Sequence, residues 1–321
     1  MKQKKQKISE KTLNKAEIKS EEVSKVEDME KTSAKKAQPK ELTKEQKIYM
    51  YLRMTFRAVS PLLLYALIPS LCLTIGYVVG YEEKMTMEEF FSYGANFYSA
   101  LGIFLVLVIF SRRAKKRGST LSKEATLFFK EMKPLKAIGF FVFGYASATA
   151  VSALLTLLPR FFLTENYTGA TKSMYLGRDF IFTSVTLLIT APIAEEIIFR
   201  GYMLNTFLEK LEEKKAIIIT SIIFALMHGN FVWILYSFFL GYILAKTSMK
   251  EDNIAYGVML HIGFNLTSIV NLLITENKAA AASIFGSKWL ILLYGLTGTA
   301  VSILLARLYT GKIKFNTEKI A

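Results

Sequence analysis

The chain has 321 residues, of which 52% are hydrophobic, and its mean hydropathy is +0.32. The apolar residues form long blocks separated by short charged stretches, a pattern typical of a polytopic membrane protein. The single cysteine, Cys72, excludes an internal disulfide framework and a cysteine-rich zinc site. The net charge of +15 does not indicate a nucleic-acid partner, because the basic residues cluster in the first 50 residues and between apolar blocks.

The first 55 residues differ in composition from the rest of the chain. Residues 1–50 hold 14 Lys and 9 acidic residues, with no Arg and no aromatic residue before Tyr49. Such a stretch has too few apolar residues to form a core, so we predict a disordered or loosely helical cytoplasmic tail over 1–55. A transmembrane domain is expected over 56–310, with its motifs in 175–275, followed by a second cytoplasmic tail over 311–321.

The apolar blocks predict an all-α membrane helix bundle with about eight transmembrane segments of roughly 20 residues each. The predicted segments are 58–80, 94–111, 135–158, 179–204, 216–229, 231–247, 254–274 and 288–309.

The loop charges predict that both termini are cytoplasmic. The loops then expected inside are 112–134, 205–215 and 248–253, and they carry most of the loop Lys and Arg. The stretch 112–136 alone has nine basic and two acidic residues, which predicts contact with anionic lipid headgroups.

One pair of segments is short. Only 34 residues, 216–249, supply two apolar segments, broken by a His-Gly-Asn sequence at 228–230. A helix of 14 residues extends roughly 21 Å, less than a hydrocarbon layer of about 30 Å. We therefore expect either two short tilted helices or a re-entrant hairpin that places His228 inside protein.

The apolar segments contain several polar side chains that are costly in lipid. Both histidines of the chain lie in such segments, and His261 and Asn265 are spaced to share one helical face. Intramembrane ionisable residues are functional candidates by default. The candidates are Glu195, Glu196, Arg200, His228, His261 and Asn265.

Helical spacing separates the two adjacent glutamates. Glu196 and Arg200 are four residues apart, as in an intrahelical ion pair, whereas Glu195 is turned about 100° away. Pro192 removes a backbone donor and is expected to kink this helix. A free carboxylate, two imidazoles and a carboxamide suit the activation of water and the stabilisation of an oxyanion, and equally suit a divalent metal.

Three motifs in this order resemble those of the CAAX prenyl protease and bacteriocin-processing family, also called CPBP or Abi proteins. They are E-E-x-x-x-R at 195–200, F-x-x-x-H at 224–228 and H-x-x-x-N at 261–265. The resemblance implies an intramembrane glutamate-dependent endopeptidase. It covers about residues 175–275, and the eight-segment layout extends it to most of the chain.

The resemblance also implies roles for the candidate residues. Glu195, helped by His228, would activate water as the general base, while His261 and Asn265 would stabilise the oxyanion. Glu196 and Arg200 would support the site. No cofactor is favoured; the alternative is a zinc-dependent version with Glu195, His228 and His261 as ligands.

The expected activity is hydrolysis of a peptide bond in a membrane-associated or lipid-modified peptide. Two other classes of function stay open: a transporter or proton or cation relay, and a non-enzymatic bacteriocin-immunity or scaffold protein. Location in a membrane, in particular a bacterial plasma membrane, is expected.

Overall fold

The computed structural model describes residues 42–82, 86, 90, 95–157, 180–229 and 231–309. Residues 1–41 of the predicted N-terminal tail and 311–321 of the predicted C-terminal tail lie outside the described residues. By their contacts the chain divides into two compact units, residues 1–52 and residues 53–321. The first unit is described from residue 42 onward, mostly as helix, and the second contains every residue of the candidate site.

All regular structure in the described residues is helical, as the sequence predicts. The α-helices are α1 (Lys44–Glu82), α2 (Ala95–Lys116), α3 (Leu121–Glu124), α4 (Pro134–Leu157), α5 (Phe180–Val185), α6 (Ala191–Glu196), α7 (Asn205–Leu208), α8 (Glu213–Leu226), α9 (Phe231–Glu251), α10 (Ile254–Glu276), α11 (Lys278–Phe285) and α12 (Lys288–Tyr309). A short 3-10 turn spans Phe129–Glu131.

Two π-helical segments connect α5, α6 and α7 without a break. They are π1 (Thr186–Thr190) and π2 (Ile197–Leu204), and together the five pieces form one helix over 180–208, here called the site helix. π-Helical turns are rare and occur often at functional sites.

Among the described residues, seven helices are long and apolar enough to cross a membrane: Lys44–Val79, Ala95–Lys116, Pro134–Leu157, Ile181–Leu208, Phe231–Glu251, Ile254–Ile274 and Lys288–Tyr309. These seven and the short α8 overlap the eight predicted segments, so the polytopic helix bundle is confirmed, although α1 begins at Lys44 and not at the predicted residue 58. Of the pair expected to be short, α8 has 14 residues as predicted, whereas α9 has 21 residues and is long enough to cross a membrane, so the prediction of two short helices is wrong for α9. The side of the membrane on which each end lies stays a prediction.

Helix α4 packs closely against α10 because glycines stand where the backbones meet. A Cβ atom at Gly144 would overlap the carbonyl oxygen of Leu260, and one at Gly263 would overlap that of Phe141. Small residues permit such close approach between membrane helices, where dispersion contacts and polar contacts replace the hydrophobic effect. This packing fixes the position of α10, the helix that carries His261.

Candidate active site

Glu195 and Glu196 lie at the end of α6, between the two π-helical segments. Glu196 is fully buried, whereas the side chain of Glu195 is 18% exposed. The two neighbouring carboxylates therefore have different surroundings, as their helical positions predict.

Pro192 and Asn265 together explain the irregular backbone before the glutamates. In π1 the N–H of Ala191 donates to the carbonyl of Thr186, five residues back. In the same register the carbonyl of Leu187 would accept from residue 192, but proline has no N–H to donate. Asn265 Nδ2 instead donates to that carbonyl at 2.8 Å. Asn265 thus satisfies a backbone group about two helical turns before Glu195.

The predicted pair of Glu196 and Arg200 is present and buried. Arg200 Nη1 donates to Glu196 Oε1 at 2.8 Å, and both side chains have no exposed surface. The Nη2 atom of Arg200 donates at 3.0 Å to the carbonyl of Gly241 on α9. The guanidinium also lies over the ring of Phe224, 4.6 Å from its centroid. This pair therefore ties the site helix to α8 and α9.

The second oxygen of Glu196 lies against α10. A Cβ atom at Gly257 would stand 3.0 Å from Glu196 Oε2 and 3.3 Å from the hydroxyl of Ser248. Among the described residues this carboxylate oxygen has no hydrogen-bond partner. Gly257 thus provides the space that the buried carboxylate occupies.

His261 lies between the two glutamates. Its Nδ1 is 3.2 Å from Glu196 Oε1, and its Nε2 is 3.8 Å from Glu195 Oε2. Since a carboxylate only accepts hydrogen bonds, Nδ1–H donates to Glu196, which fixes the orientation of the ring. The imidazole is 3% exposed, so Glu196 directs its Nε2 toward Glu195 inside protein.

The free carboxylate predicted at position 195 has a partner on α1. Tyr65 donates its hydroxyl to Glu195 Oε1 at 3.0 Å, across 130 residues of sequence. Sequence reasoning missed this residue, because a tyrosine in an apolar segment is an ordinary lipid-facing or packing residue.

His228 is less closely connected to the other candidates. Its Nδ1 lies 2.9 Å from the carbonyl of Phe224, so Nδ1–H is the donor and Nε2 is left as an acceptor. The ring of Phe224 contacts the rings of both histidines, with centroids 4.9 Å from His228 and 5.9 Å from His261. Phe224 thus links the two imidazoles by aromatic contact.

The side chains proposed as zinc ligands do not form a three-ligand site in this arrangement. Within the described part of the chain, no group of three or more His, Cys, Asp or Glu side chains is close enough to hold a metal ion. Glu195 and His261 adjoin each other, whereas the described contacts of His228 are with Phe224.

The segment between α2 and α4 contacts both helices that supply the glutamates and His261. Tyr202 on the site helix donates to Glu124 Oε2 at 2.9 Å. Asn253, the N-cap of α10, accepts from the N–H of Phe128 and donates to its carbonyl, at 3.0 and 2.9 Å. A single short segment therefore positions the ends of the site helix and α10.

Arg117 and Glu124 form a charged pair within this segment. Arg117 donates to both carboxylate oxygens of Glu124, at 3.0 and 2.5 Å. Its guanidinium, aided by the Tyr202 hydroxyl, lowers the pKa of Glu124 against the opposing effect of burial, and the same hydrogen bonds raise the pKa of Arg117.

The lowered pKa of Glu124 predicts that the stability of the fold depends on pH. The contribution of Glu124 is complete above the ordinary glutamate pKa of 4.5 and is lost as the pH falls through the lowered value. We expect E124Q to be less stable than the wild type at pH 7, and the difference in thermal midpoint to shrink as the pH falls below 4.5. Thermal unfolding in detergent measures it. The exposed Glu131→Gln on the same segment is the control, and a pH-independent difference would contradict the expectation.

The fold and the site define a multi-pass membrane protein with a Glu–Arg–His cluster inside its helix bundle. Residues 177–267, somewhat more than a quarter of the chain, match the family model described as "Type II CAAX prenyl endopeptidase Rce1-like". The resemblance predicted from the three motifs is confirmed over this segment, which contains every predicted site residue.

Two curated proteins of Lactococcus lactis subsp. lactis (strain IL1403) are similar to the chain. UPF0177 protein YxdF is 33% identical over 79 residues, which are 24% of this chain and 43% of that relative. UPF0177 protein YbdI is 24% identical over 179 residues, 54% of this chain and 94% of that relative. The alignment thus spans less than half of YxdF but nearly all of YbdI. No solved structure matches the chain significantly.

Proposed function

We propose that the protein is an intramembrane endopeptidase that hydrolyses a peptide bond of a membrane-associated or lipid-modified peptide. The observation that supports this proposal best is the arrangement of Glu195. Its Oε1 is held by Tyr65, while Oε2 faces the Nε2 atom of a buried imidazole at 3.8 Å. A carboxylate fixed in this way and still 18% exposed is suited to accept a proton from water.

In the proposed mechanism, Glu195 is the general base. It takes a proton from a water molecule, and the oxygen of that water attacks the scissile carbonyl carbon. The free Nε2 of His228 accepts a second hydrogen bond from the same water and orients it. The proton taken by Glu195 then passes to the leaving amine as the C–N bond breaks, which regenerates the carboxylate.

His261 and Asn265 are the proposed oxyanion donors. Glu196 accepts from His261 Nδ1–H and orients the ring, and Nε2 can donate to the carbonyl oxygen when it also carries a proton. Asn265 has two N–H groups, of which one is committed to Leu187 and the other is available to substrate. Arg200 balances the charge of Glu196, so with His261 protonated the two carboxylates face two cations.

The test is peptide cleavage by the purified protein in liposomes. Peptides with a farnesylated C-terminal cysteine motif and their unmodified counterparts are compared, since the matching family is described by its CAAX prenyl substrates. We expect an endoproteolytic product from at least the lipidated peptides. A protein that is folded and cleaves neither set would contradict the proposal. A zinc-dependent version requires that exhaustive chelation abolish cleavage and that added zinc restore it.

A proton or cation relay is the second candidate, because Glu195, His261 and Glu196 form a continuous row of ionisable groups. It predicts a proton or cation flux into sealed liposomes that E195Q abolishes. A non-enzymatic scaffold or immunity protein predicts neither cleavage nor flux. The same liposome preparation therefore separates the three classes.

We also propose that the basic stretch 112–136 binds anionic lipid headgroups. Arg112, Arg113, Lys115 and Lys116 are exposed at the end of α2, as is Lys123 in the following segment. Because this segment contacts the site helix and α10, bound anionic lipid would favour the assembled site. We expect cleavage to be severalfold faster in anionic vesicles, with about 30% phosphatidylglycerol, than in neutral phosphatidylcholine vesicles. Equal rates at low salt would contradict this.

A further inference from the structure

Tyr65 lies on the core side of α1, in the middle of the first membrane-spanning helix. Its neighbours Leu64 and Ile68 pack with it against the buried core. Pro61 and Pro69 stand four residues before and after it inside the same helix. The tyrosine therefore faces the bundle, where its hydroxyl needs a polar partner.

Contacts on both sides of Tyr65 fix the position of α1. Arg57 lies two turns earlier, and Glu209 lies just past the end of the site helix. The two terminal nitrogens of Arg57 each donate a hydrogen bond of 2.9 Å to one carboxylate oxygen of Glu209. One turn later, Pro69 contacts α2 so closely that a Cβ atom at Gly102 would overlap its Cα. A bidentate pair and a close backbone contact thus hold the phenol in register with the site helix.

The contact of Tyr65 with Glu195 is specific to one carboxylate oxygen. The hydroxyl donates to Oε1 at 3.0 Å, while the Oε2 atom is the one near His261. Without this donor, Glu195 is free to rotate about its last torsion and exchange the two oxygens, because such torsions are broad and nearly two-fold. A tyrosine has only two side-chain torsions, so it orients the carboxylate at low entropic cost.

We propose that Tyr65 is a positioning residue of the active site, which holds Glu195 with Oε2 directed toward the water that it activates. The inference rests on the proposed function and adds a contribution from α1, outside the segment that matches the family model. Tyr65 acts through Glu195 and does not itself contact the reacting atoms.

The first test is a comparison of Tyr65→Phe with Tyr294→Phe. Both changes remove one hydroxyl from a membrane helix, but Tyr294 lies on α12, with its hydroxyl 3.5 Å from Thr149 Oγ1. We expect Y65F to lower kcat by about tenfold to a hundredfold with KM within twofold of the wild type, and Y294F to change neither. A Y65F protein with wild-type kcat would overturn the proposal.

A donor-retaining variant separates positioning from packing. Replacement of Tyr65 by 4-aminophenylalanine keeps an N–H donor at the same place on the ring. We expect its kcat to lie within about threefold of the wild type, because the hydrogen bond to Glu195 is retained. A value as low as that of Y65F would overturn the proposal, and this variant also serves if Y65F does not fold.

A spectroscopic test does not depend on catalysis. In protein labelled with ¹³C-glutamate, the infrared carboxyl band that disappears in E195Q belongs to Glu195. We expect this band to shift in Y65F and to stay in place in Y294F. If the wild type cleaves no peptide, the proposed function fails, and the band alone decides on Tyr65: a shift supports the contact and an unshifted band overturns it.

Discussion

E195Q is expected to lower kcat for peptide cleavage by at least about a hundredfold and by up to about ten-thousandfold, the range typical of a lost general base. The amide is nearly isosteric with the carboxylate, and its oxygen still accepts the hydrogen bond of Tyr65. Folding should therefore be preserved while the ability to take a proton from water is lost. Single-turnover cleavage of a labelled peptide in liposomes measures the change.

Glu212→Gln is the matched control for E195Q. Glu212 is an exposed glutamate that pairs with Lys215 at 3.3 Å, outside the cluster. We expect this variant to cleave at the wild-type rate. An E195Q protein with a wild-type unfolding midpoint and a wild-type rate of peptide cleavage would contradict the proposed mechanism.

Arg200→Met is expected to destabilise the protein strongly, by about 3–5 kcal/mol, as when one partner of a buried ion pair is removed. The change leaves the carboxylate of Glu196 buried beside His261 and also removes the side-chain donor to the carbonyl of Gly241. R200K should recover only part of the loss, because an ammonium cannot reproduce the planar fork that serves both acceptors. Equilibrium unfolding in mixed micelles measures these differences.

The double variant Glu196→Gln with Arg200→Met separates charge burial from packing. With both charges removed, we expect a stability within roughly 2 kcal/mol of the wild type, since replacing both partners avoids an isolated buried charge. Activity should stay low, because the charged acceptor that orients His261 is lost. Arg307→Met, at an exposed position on α12, is the control. An R200M protein as stable as R307M would contradict the expectation.

Local spacing predicted the contacts that lie within one helix. Glu196 and Arg200 pair as an i,i+4 spacing requires, even though the backbone becomes π-helical from residue 197. The eight apolar segments also predicted where the membrane helices lie, because segment length in a membrane protein is set by the thickness of the bilayer. The start of α1 and the end of α9 were missed, since these helices continue into polar sequence beyond the apolar segments.

Contacts between helices that are distant in sequence could not be predicted from the sequence patterns. No spacing rule relates Tyr65 to Glu195 or His261 to Glu196, since these pairs depend on how the helices pack. The hydrogen bond from Asn265, a predicted oxyanion donor, to the carbonyl of Leu187 could not be predicted either. It depends on helix packing and on the missing N–H of Pro192. The catalytic roles of all six candidate residues stay predictions.

The order in which the chain is made has a consequence for the buried cluster. The Glu196–Arg200 pair lies within one helix, so the two charges can enter the membrane already neutralised. His261 follows Glu196 by 65 residues, which at about 5–20 residues per second takes the ribosome roughly three to thirteen seconds. During that interval Glu195 lacks the imidazole of His261, the proposed oxyanion donor. If the protein cleaves peptides as proposed, a nascent chain is thus expected to spare neighbouring membrane peptides until α10, the sixth long apolar helix among the described residues, has been inserted.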